Sequence, residues 1–409
     1  MQVEIKKQSF SVTSFYDSAE SSYVKEKEII VIEARNVSSF ENYSKEEPFN
    51  QLRNIINNKI SNAEGLKLIF NSGLCGCGGS HIPLFKKWQA AVPYKPEFLV
   101  VNGLEGEPYT YKDYFIMLHY PQLLIEGITI SCRLLEINEV YLLVNSAYKL
   151  AYENLTKVVS ENTSLLKDIN IHVMYGPNPD LYIVGEETAL LNYIEGKRAE
   201  PRLKPPYPHE KGLWNKSTII NNVETLSWIP LLLKSPERFK NKHPKLVTLS
   251  GDVKLPGIYE VDMGDSLEKI IDKAEAEDLS FIEVGGISGG LIPKKLININ
   301  YDVSGLSKLG LHVGSGTIRL FNNTRDPLLE MSKSTEFFKE ESCGRCTPCR
   351  VGTQELLKFS QQLLNSNETD ESINWLHSVS ETMQQTSTCG LGKAASVPVV
   401  TYLKHFRNL

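Results

Sequence analysis

No stretch of this sequence approaches the roughly 20 consecutive apolar residues that a membrane-spanning helix needs. Its most apolar segment, Gln122 to Leu135, is interrupted by Glu126 and Arg133 and reads as a buried helix. A basic excess is also missing, since Lys and Arg total 44 against 49 Asp and Glu, a formal net charge of −5. That balance argues against general affinity for nucleic acid or anionic membrane, both of which reward a basic surface. The opening MQVEIKKQSF has neither the apolar core nor the small-residue cleavage site of a secretory signal. Repeats and low-complexity tracts do not occur either. Cysteine is scarce, seven in 409 residues, and the seven are clustered instead of spread at loop-stapling distances. An odd, clustered set fits a disulfide framework poorly and suits metal or redox chemistry in a reducing compartment. The expectation is a soluble protein without a membrane span or a nucleic-acid partner. It is placed in the cytoplasm, or at the inner face of a membrane through a larger complex.

What is present divides the chain. A length of 409 residues exceeds one ordinary core and implies about two to four domains. Residues 1–60 read as an N-terminal extension and helix, with Phe49, Leu52, Ile55 and Ile56 at helical spacing inside Glu47 to Ile60. Residues 61–240 alternate two patterns. FLVVNG (98–103), EVYLLVN (139–145) and INIHVMYG (169–176) read as strands, whereas Tyr120 to Leu135, Leu150 to Ser160 and Gly185 to Ile194 read as helices. Such alternation predicts an α/β layer fold with ligand loops at the strand ends. SPERFKNKHP (235–244) reads as a linker. Residues 241–325 give short strands around a Lys-Leu-Pro-Gly turn, a helix near Leu267 to Ala274, then FIEVGGISGGLIP and GTIRLFN, a small β-rich α+β domain. In 326–409 helical spacing returns, as in Glu355 to Leu364 and Val399 to Phe406, and Pro398 suits the start of the last helix. That part is expected to be a helical bundle.

ESCGRCTPCRVG (341–352) sets Cys343, Cys346 and Cys349 at C-x2-C-x2-C, and Cys389 follows after 39 further residues. Three thiolates on one tight loop and a remote fourth suit the corners of a cubane [4Fe–4S] cluster. Structural zinc sites more often come as two separated pairs, so zinc is the second reading and unmetallated thiols the third. SGLCGCGGSHIP (72–83) packs four glycines and two serines, and glycine there lets backbone N–H groups approach a phosphate. It matches neither the P-loop nor the dinucleotide fingerprint, and alone it reads equally well as a plain loop. NGLEGEPYTYKD (102–113) and YIVGEETAL (182–190) are Glu-rich polar loops at strand ends, and NNVET (221–225) adds paired amides. Each alone reads first as a solvated, capped turn.

Together these segments resemble the NADH-binding flavoprotein subunit of respiratory complex I and its relatives in hydrogenases and formate dehydrogenases. The resemblance runs from about Glu47 to the C-terminus and rests most on YIVGEETALLNYIEGKRAEPRLKPPYP, NNVETL, ESCGRCTPCR and STCGLG, in that order. It implies an N-terminal α/β flavin domain, an SLBB-type α+β domain, and a C-terminal helical bundle holding the cluster. It also implies FMN, NAD(H), further iron–sulfur subunits as partners, and electron transfer from NADH through FMN to the cluster. By motif, the FMN contacts fall on Gly76, Gly78, Gly79, Lys87, Asn102, Glu105, Tyr182, Gly185, Glu186, Glu187, Asn221, Asn222 and Thr225. The nucleotide side falls on Glu107, Lys204 and Tyr207.

The sequence departs from that pattern in the flavin and nucleotide loops. Where the family has R-G-R-G-G-A-G-F-P, this chain reads Cys75-Gly76-Cys77-Gly78-Gly79-Ser80-His81-Ile82-Pro83. Leu104 stands for an acid, and Gln89 and Ala90 follow the Lys-Trp pair in place of an aromatic. The implied activity is that of an NADH dehydrogenase-type subunit with impaired NADH turnover. The competing readings are a relay or scaffold that kept fold and cluster but lost or changed that turnover, and a zinc-stabilised interaction module.

Overall fold

The computed structural model describes residues 9–13, 29–178 and 180–407. It resolves into two compact units, one spanning 38–245 and the other formed by 1–37 with 246–409. Their constituent elements follow from local sequence chemistry.

The 38–245 unit is built on four strands in the order Asn170–Tyr175, Glu139–Val144, Phe98–Gly103, Thr218–Asn222, every neighbouring pair parallel. Parallel strands covered on both faces read as unbroken apolar runs, and Leu99, Val100 and Val101 of the central strand are fully buried. From Phe98–Gly103 the chain winds outward through two strands and then returns to the other side. The reversal therefore falls between Phe98–Gly103 and Thr218–Asn222. Such a switch point opens a crevice at the carboxyl ends of the strands. Asn102 and Asn222 lie opposite one another there, in parallel register.

Covering helices run Lys112–His119, Pro121–Leu135, Lys149–Glu161 and Val223–Lys234. Pro121 occupies the first helical turn, where its missing N–H costs nothing. The helix is buried almost all round, and Glu126 inside it accepts from the Tyr43 hydroxyl at 2.7 Å and the Leu52 N–H at 3.0 Å. Three expectations change in detail. The amphipathic stretch 47–60 forms a shorter helix, Asn50–Ile56, because Phe49 and Asn58 both take left-handed backbone. The helix expected from Gly185 begins at Glu187, since Tyr182–Gly185 is a 3-10 turn and Glu186 caps the helix with its own carboxylate. The segment 235–244 is packed and not a loose linker: Phe239 is buried edge-on to Trp228, and its carbonyl accepts from Gly73 N–H.

The other unit holds a seven-stranded mixed sheet in the order Ser9–Thr13, Ile29–Ala34, Gly257–Asp262, Pro244–Gly251, Thr317–Asn322, Leu279–Val284, Gly290–Pro293. Its core gathers Val247, Leu249, Ile282, Ile318 and Leu320 with Tyr301. Helices Pro327–Glu341, Thr347–Leu364, Asp370–Thr386, Gly390–Ala394 and Val397–Tyr402 follow. Buried Arg319 on the sheet reaches Glu283 at 3.3 Å and Glu330 on the first of these helices at 3.1 Å. Among the described residues no single helix is long and apolar enough to cross a membrane.

Candidate functional site

At the switch point the strand ends deliver Asn102, Asn221 and Asn222. Asn102 donates to the Gly185 carbonyl at 2.9 Å, tying the central strand to the 182–190 loop. Asn221 is buried and accepts from the Trp88 indole at 3.1 Å. Asn222 caps Val223–Lys234 through Glu224 N–H and donates to Asp113 at 2.6 Å. Thr225 accepts from Cys77 N–H at 2.9 Å, which pins the glycine-rich loop onto that helix. Gly78 packs closely there as well, since a Cβ would lie 3.1 Å from that of Asn222. Gly76 donates to the Ile82 carbonyl at 2.8 Å and closes the loop.

The acidic loops are likewise built from internal bonds. Glu105 has left-handed backbone, and its carboxylate accepts from Asp113 N–H at 2.7 Å and Tyr114 N–H at 2.9 Å, capping Lys112–His119. Burial, with Asp113 beside it, pushes the Glu105 carboxyl up. Tyr182 donates to Glu107 at 2.8 Å. Lys87 pairs with Glu187, and Lys204 bridges Glu186 at 3.0 Å and Glu187 at 3.8 Å. Burial works against an ionised Glu187, but Lys87, Lys204 and His209 together outweigh it and hold the carboxyl below its usual range. Space is open at two glycines of these loops: at Gly79 and at Gly185, which precedes Glu186, a Cβ would meet nothing within 4 Å. Exposed Ile82 and Tyr207 are available to a flat ring, and Tyr207 stacks on His209 at 5.7 Å. Glycine positions open to space, lysines paired with the 182–190 loop and amides at strand ends are what a phosphate-bearing planar cofactor needs, so these residues fit FMN.

Under the loops lies a group that the sequence did not single out. Lys112 and Lys245 are buried with Asp113 and Glu224, at 2.8 Å for Lys112–Asp113, 3.1 Å for Lys112–Glu224 and 3.6 Å for Lys245–Glu224. Lys245 also donates to the Cys77 carbonyl at 3.2 Å. The available signal was a Lys-Asp pair at one helix start and a Glu two positions after the paired amides at another. Cys77, fully buried near Glu224, has its thiol pushed up to about 12, and burial also raises Cys75. Burial and the Lys245 charge depress His81 to about 4, so its imidazole is neutral.

The other sequence-singled cysteines meet in the 246–409 unit. Cys346 immediately precedes Thr347–Leu364, Cys349 lies in its first turn, and Cys389 immediately precedes Gly390–Ala394. Gly344 turns the loop with φ +73°, and Arg350 donates to its carbonyl at 2.6 Å. Ser342 and Cys349 are hydrogen-bonded at 3.3 Å, and burial pushes the Cys349 thiol up to about 11, with Cys346, Cys389 and Cys343 adding to the rise. Burial opposes ionisation of Cys346 too, yet N–H groups of Thr388 and Cys349 and the Thr388 hydroxyl bond its sulfur and bring the thiol down. A Cβ on Gly392 would lie 2.9 Å from that of Cys349, so only glycine admits this convergence. Cys349 feels the other three sulfurs electrostatically, and backbone N–H donors are aimed at Cys346, a set that fits the thiolate ligands of a [4Fe–4S] cluster.

Comparison with known proteins agrees with this division of labour. Residues 69–231 match the model of the Nuo51 FMN-binding domain, and residues 330–409 match the NADH-ubiquinone oxidoreductase-F iron-sulfur binding region. The F subunit of NADH-quinone oxidoreductase from Aquifex aeolicus is 34% identical over 393 residues, covering 90% of this chain and 90% of that protein. Its counterpart in Mycobacterium tuberculosis strain H37Rv is 34% identical over 368 residues, covering 84% of this chain and 83% of that one. Among solved structures, an NAD+-reducing [NiFe]-hydrogenase in the H2-reduced state superposes with a TM-score of 0.83 at 28% identity. That match covers 91% of this chain but only 66% of the hydrogenase chain.

Proposed function

The chain belongs to the family of NADH-quinone oxidoreductase F subunits, and from that premise we propose which of its residues serve the family's electron transfer. It is a flavo-iron–sulfur oxidoreductase subunit that passes electrons between NADH and a partner by way of FMN and one [4Fe–4S] cluster. When bound, the flavin takes the two electrons of a hydride and the cluster carries them onward singly.

Phosphate would be held by N–H groups of Gly78 and Gly79 with Lys87, while Gly76, its N–H spent on the Ile82 carbonyl, closes the loop around it. The ring and ribityl chain lie along Asn102, Glu105, Tyr182, Gly185, Glu186, Glu187, Asn221, Asn222 and Thr225. Glu107, Lys204 and Tyr207 face the nucleotide, and Cys343, Cys346, Cys349 and Cys389 hold the cluster. The observation that carries this reading is the open space at Gly79 and Gly185, together with the Lys87–Glu187 and Lys204–Glu186 pairs. Asn222 and Thr225 are engaged internally, so their part is to fix the loop, with the backbone left to bind.

NADH reacts poorly in this reading. Exposed Ile82 and Ala90 stand where flat rings would need stacking partners, and two lost stacks cost about one to two decades in affinity. A loosely held ring also lowers the rate, because hydride transfer needs a near-attack geometry. The purified protein should hold near-stoichiometric FMN and show weak NADH:ferricyanide activity, partly rescued by Ile82→Phe with Ala90→Phe. Micromolar KM with high turnover in the unmodified protein would overturn the impairment; FMN with no bleaching by NADH would favour the relay or scaffold. The location at the inner face of a membrane, through the rest of the complex, belongs to the same proposal.

A further inference from the structure

The glycine-rich loop carries a second constellation that flavin binding leaves unused. Cys75 and His81 face each other across its base, where Gly76 N–H bonds the Ile82 carbonyl at 2.8 Å and Cys75 bridges Pro83. His243 joins them from the far end of the same unit, one residue before the strand Pro244–Gly251. The Cys75 sulfur and one nitrogen from each imidazole all lie within 4.8 Å of one another. The two rings are 5.4 Å apart and tilted by 36°, so neither blocks the other from a common centre.

We propose that Cys75, His81 and His243 form a site for one zinc ion, with its fourth position open to water or a small ligand. Tetrahedral zinc at ordinary bond lengths sets its sulfur and nitrogen ligands about 3.3–3.6 Å apart. Closing the trio by about an ångström therefore completes the shell. Two further observations point to a ligand. The buried Nδ1 of His81 has no hydrogen-bond partner among the described residues. His81 is also held at φ +52°, a left-handed conformation that costs a non-glycine residue energy unless its surroundings enforce it. Thiolate with imidazole is a ligand set that zinc accepts and magnesium or calcium does not. Binding replaces the Cys75 S–H by S–Zn and releases one proton to solvent. The bound centre is a monocation. Lys245 does not forbid it, because that ammonium is already paired with Glu224 at 3.6 Å. The consequence is a clamp that fixes the glycine-rich loop to the strand entry at 243–244.

The test uses tag-free full-length protein grown with zinc and carrying its iron and FMN. Elemental analysis after gel filtration against a weak chelator should find about one zinc per chain. The zinc-edge absorption spectrum should show one sulfur and two nitrogen neighbours. Cys75→Ser and His243→Gln should each lower zinc at least tenfold while iron stays unchanged. Zinc below a tenth of an equivalent in the unmodified, iron-replete protein overturns the site. So do copper in place of zinc, a four-sulfur zinc spectrum, or zinc that survives both substitutions.

Discussion

Lys112, Asp113, Glu224 and Lys245 are nearly without solvent contact and pair with one another, with the Glu105 carboxyl also acting on Lys112. Removing one member of such a set leaves a buried charge uncompensated, which costs about 3–5 kcal/mol. Lys112→Met should therefore lower the urea midpoint strongly, and an unchanged midpoint would show the group to be dispensable. A second prediction concerns acid. The Glu187 carboxyl lies below its unfolded value because Lys87, helped by Lys204 and His209, outweighs burial. Its stabilisation is thus present above the unfolded carboxylate range near pH 4.3 and is lost as pH falls through the lower folded value. Lys87→Met raises the folded value, so acid unfolding should begin at higher pH than in the unmodified protein. Coincident acid curves would remove Glu187 from the account. At this scale the cysteine-rich and glycine-rich segments that mark the iron–sulfur region and the FMN domain were legible because their signal is short-range and compositional. The buried charges were not: Lys112 and Glu224 lie far apart in sequence, and the Lys-Asp pair and the Glu after the paired amides mark helix starts without revealing that they pack together.

Helices Pro121–Leu135 and Val223–Lys234 cross so closely that a Cβ on Gly127 would lie 2.0 Å from the Leu226 carbonyl oxygen. Gly127→Ala must push backbone against backbone, and overpacking of this kind costs about 1–3 kcal/mol. Urea unfolding of that variant should show the loss, and no change would mean that the crossing can slide. The C-terminal helices offer a sharper readout. Two of them begin at cluster cysteines, so Cys346→Ser should abolish the broad visible absorbance and lower the melting temperature of the bundle. Tightly bound zinc without iron in anaerobically prepared protein would sink that prediction. Helices Pro121–Leu135 and Lys149–Glu161 were readable from sequence to within a residue or two, because Pro121 and the apolar spacing mark them, whereas Thr347–Leu364 starts well before the stretch read from Glu355. Short elements were not. Whether 47–60 makes one helix or a brief turn of helix depends on the left-handed backbone of Phe49 and Asn58, which periodicity does not reveal.

One cluster in a subunit of a multi-subunit oxidoreductase needs a recipient for its electrons. The prediction is that a further iron–sulfur subunit docks near 341–352 and co-purifies from native extracts. A chain that remains monomeric there, without an iron–sulfur companion, counts against it. The order of the elements carries a further lesson. Reading 1–60 as an extension follows from its polar composition, but Ala34 pairs with Ile258 in one sheet, and pairing over such a separation leaves no local trace. The whole 38–245 unit is inserted between those two partners. On a ribosome adding about 5–20 residues per second, about 220 residues separate the partners, so the first strand waits roughly 10–45 s for the second. During that interval the inserted unit has emerged entire while the sheet that flanks it is still unfinished. Nascent chains arrested once residue 245 has cleared the ribosomal exit tunnel should already hide that unit from protease, and could accept flavin before any iron reaches the cysteines.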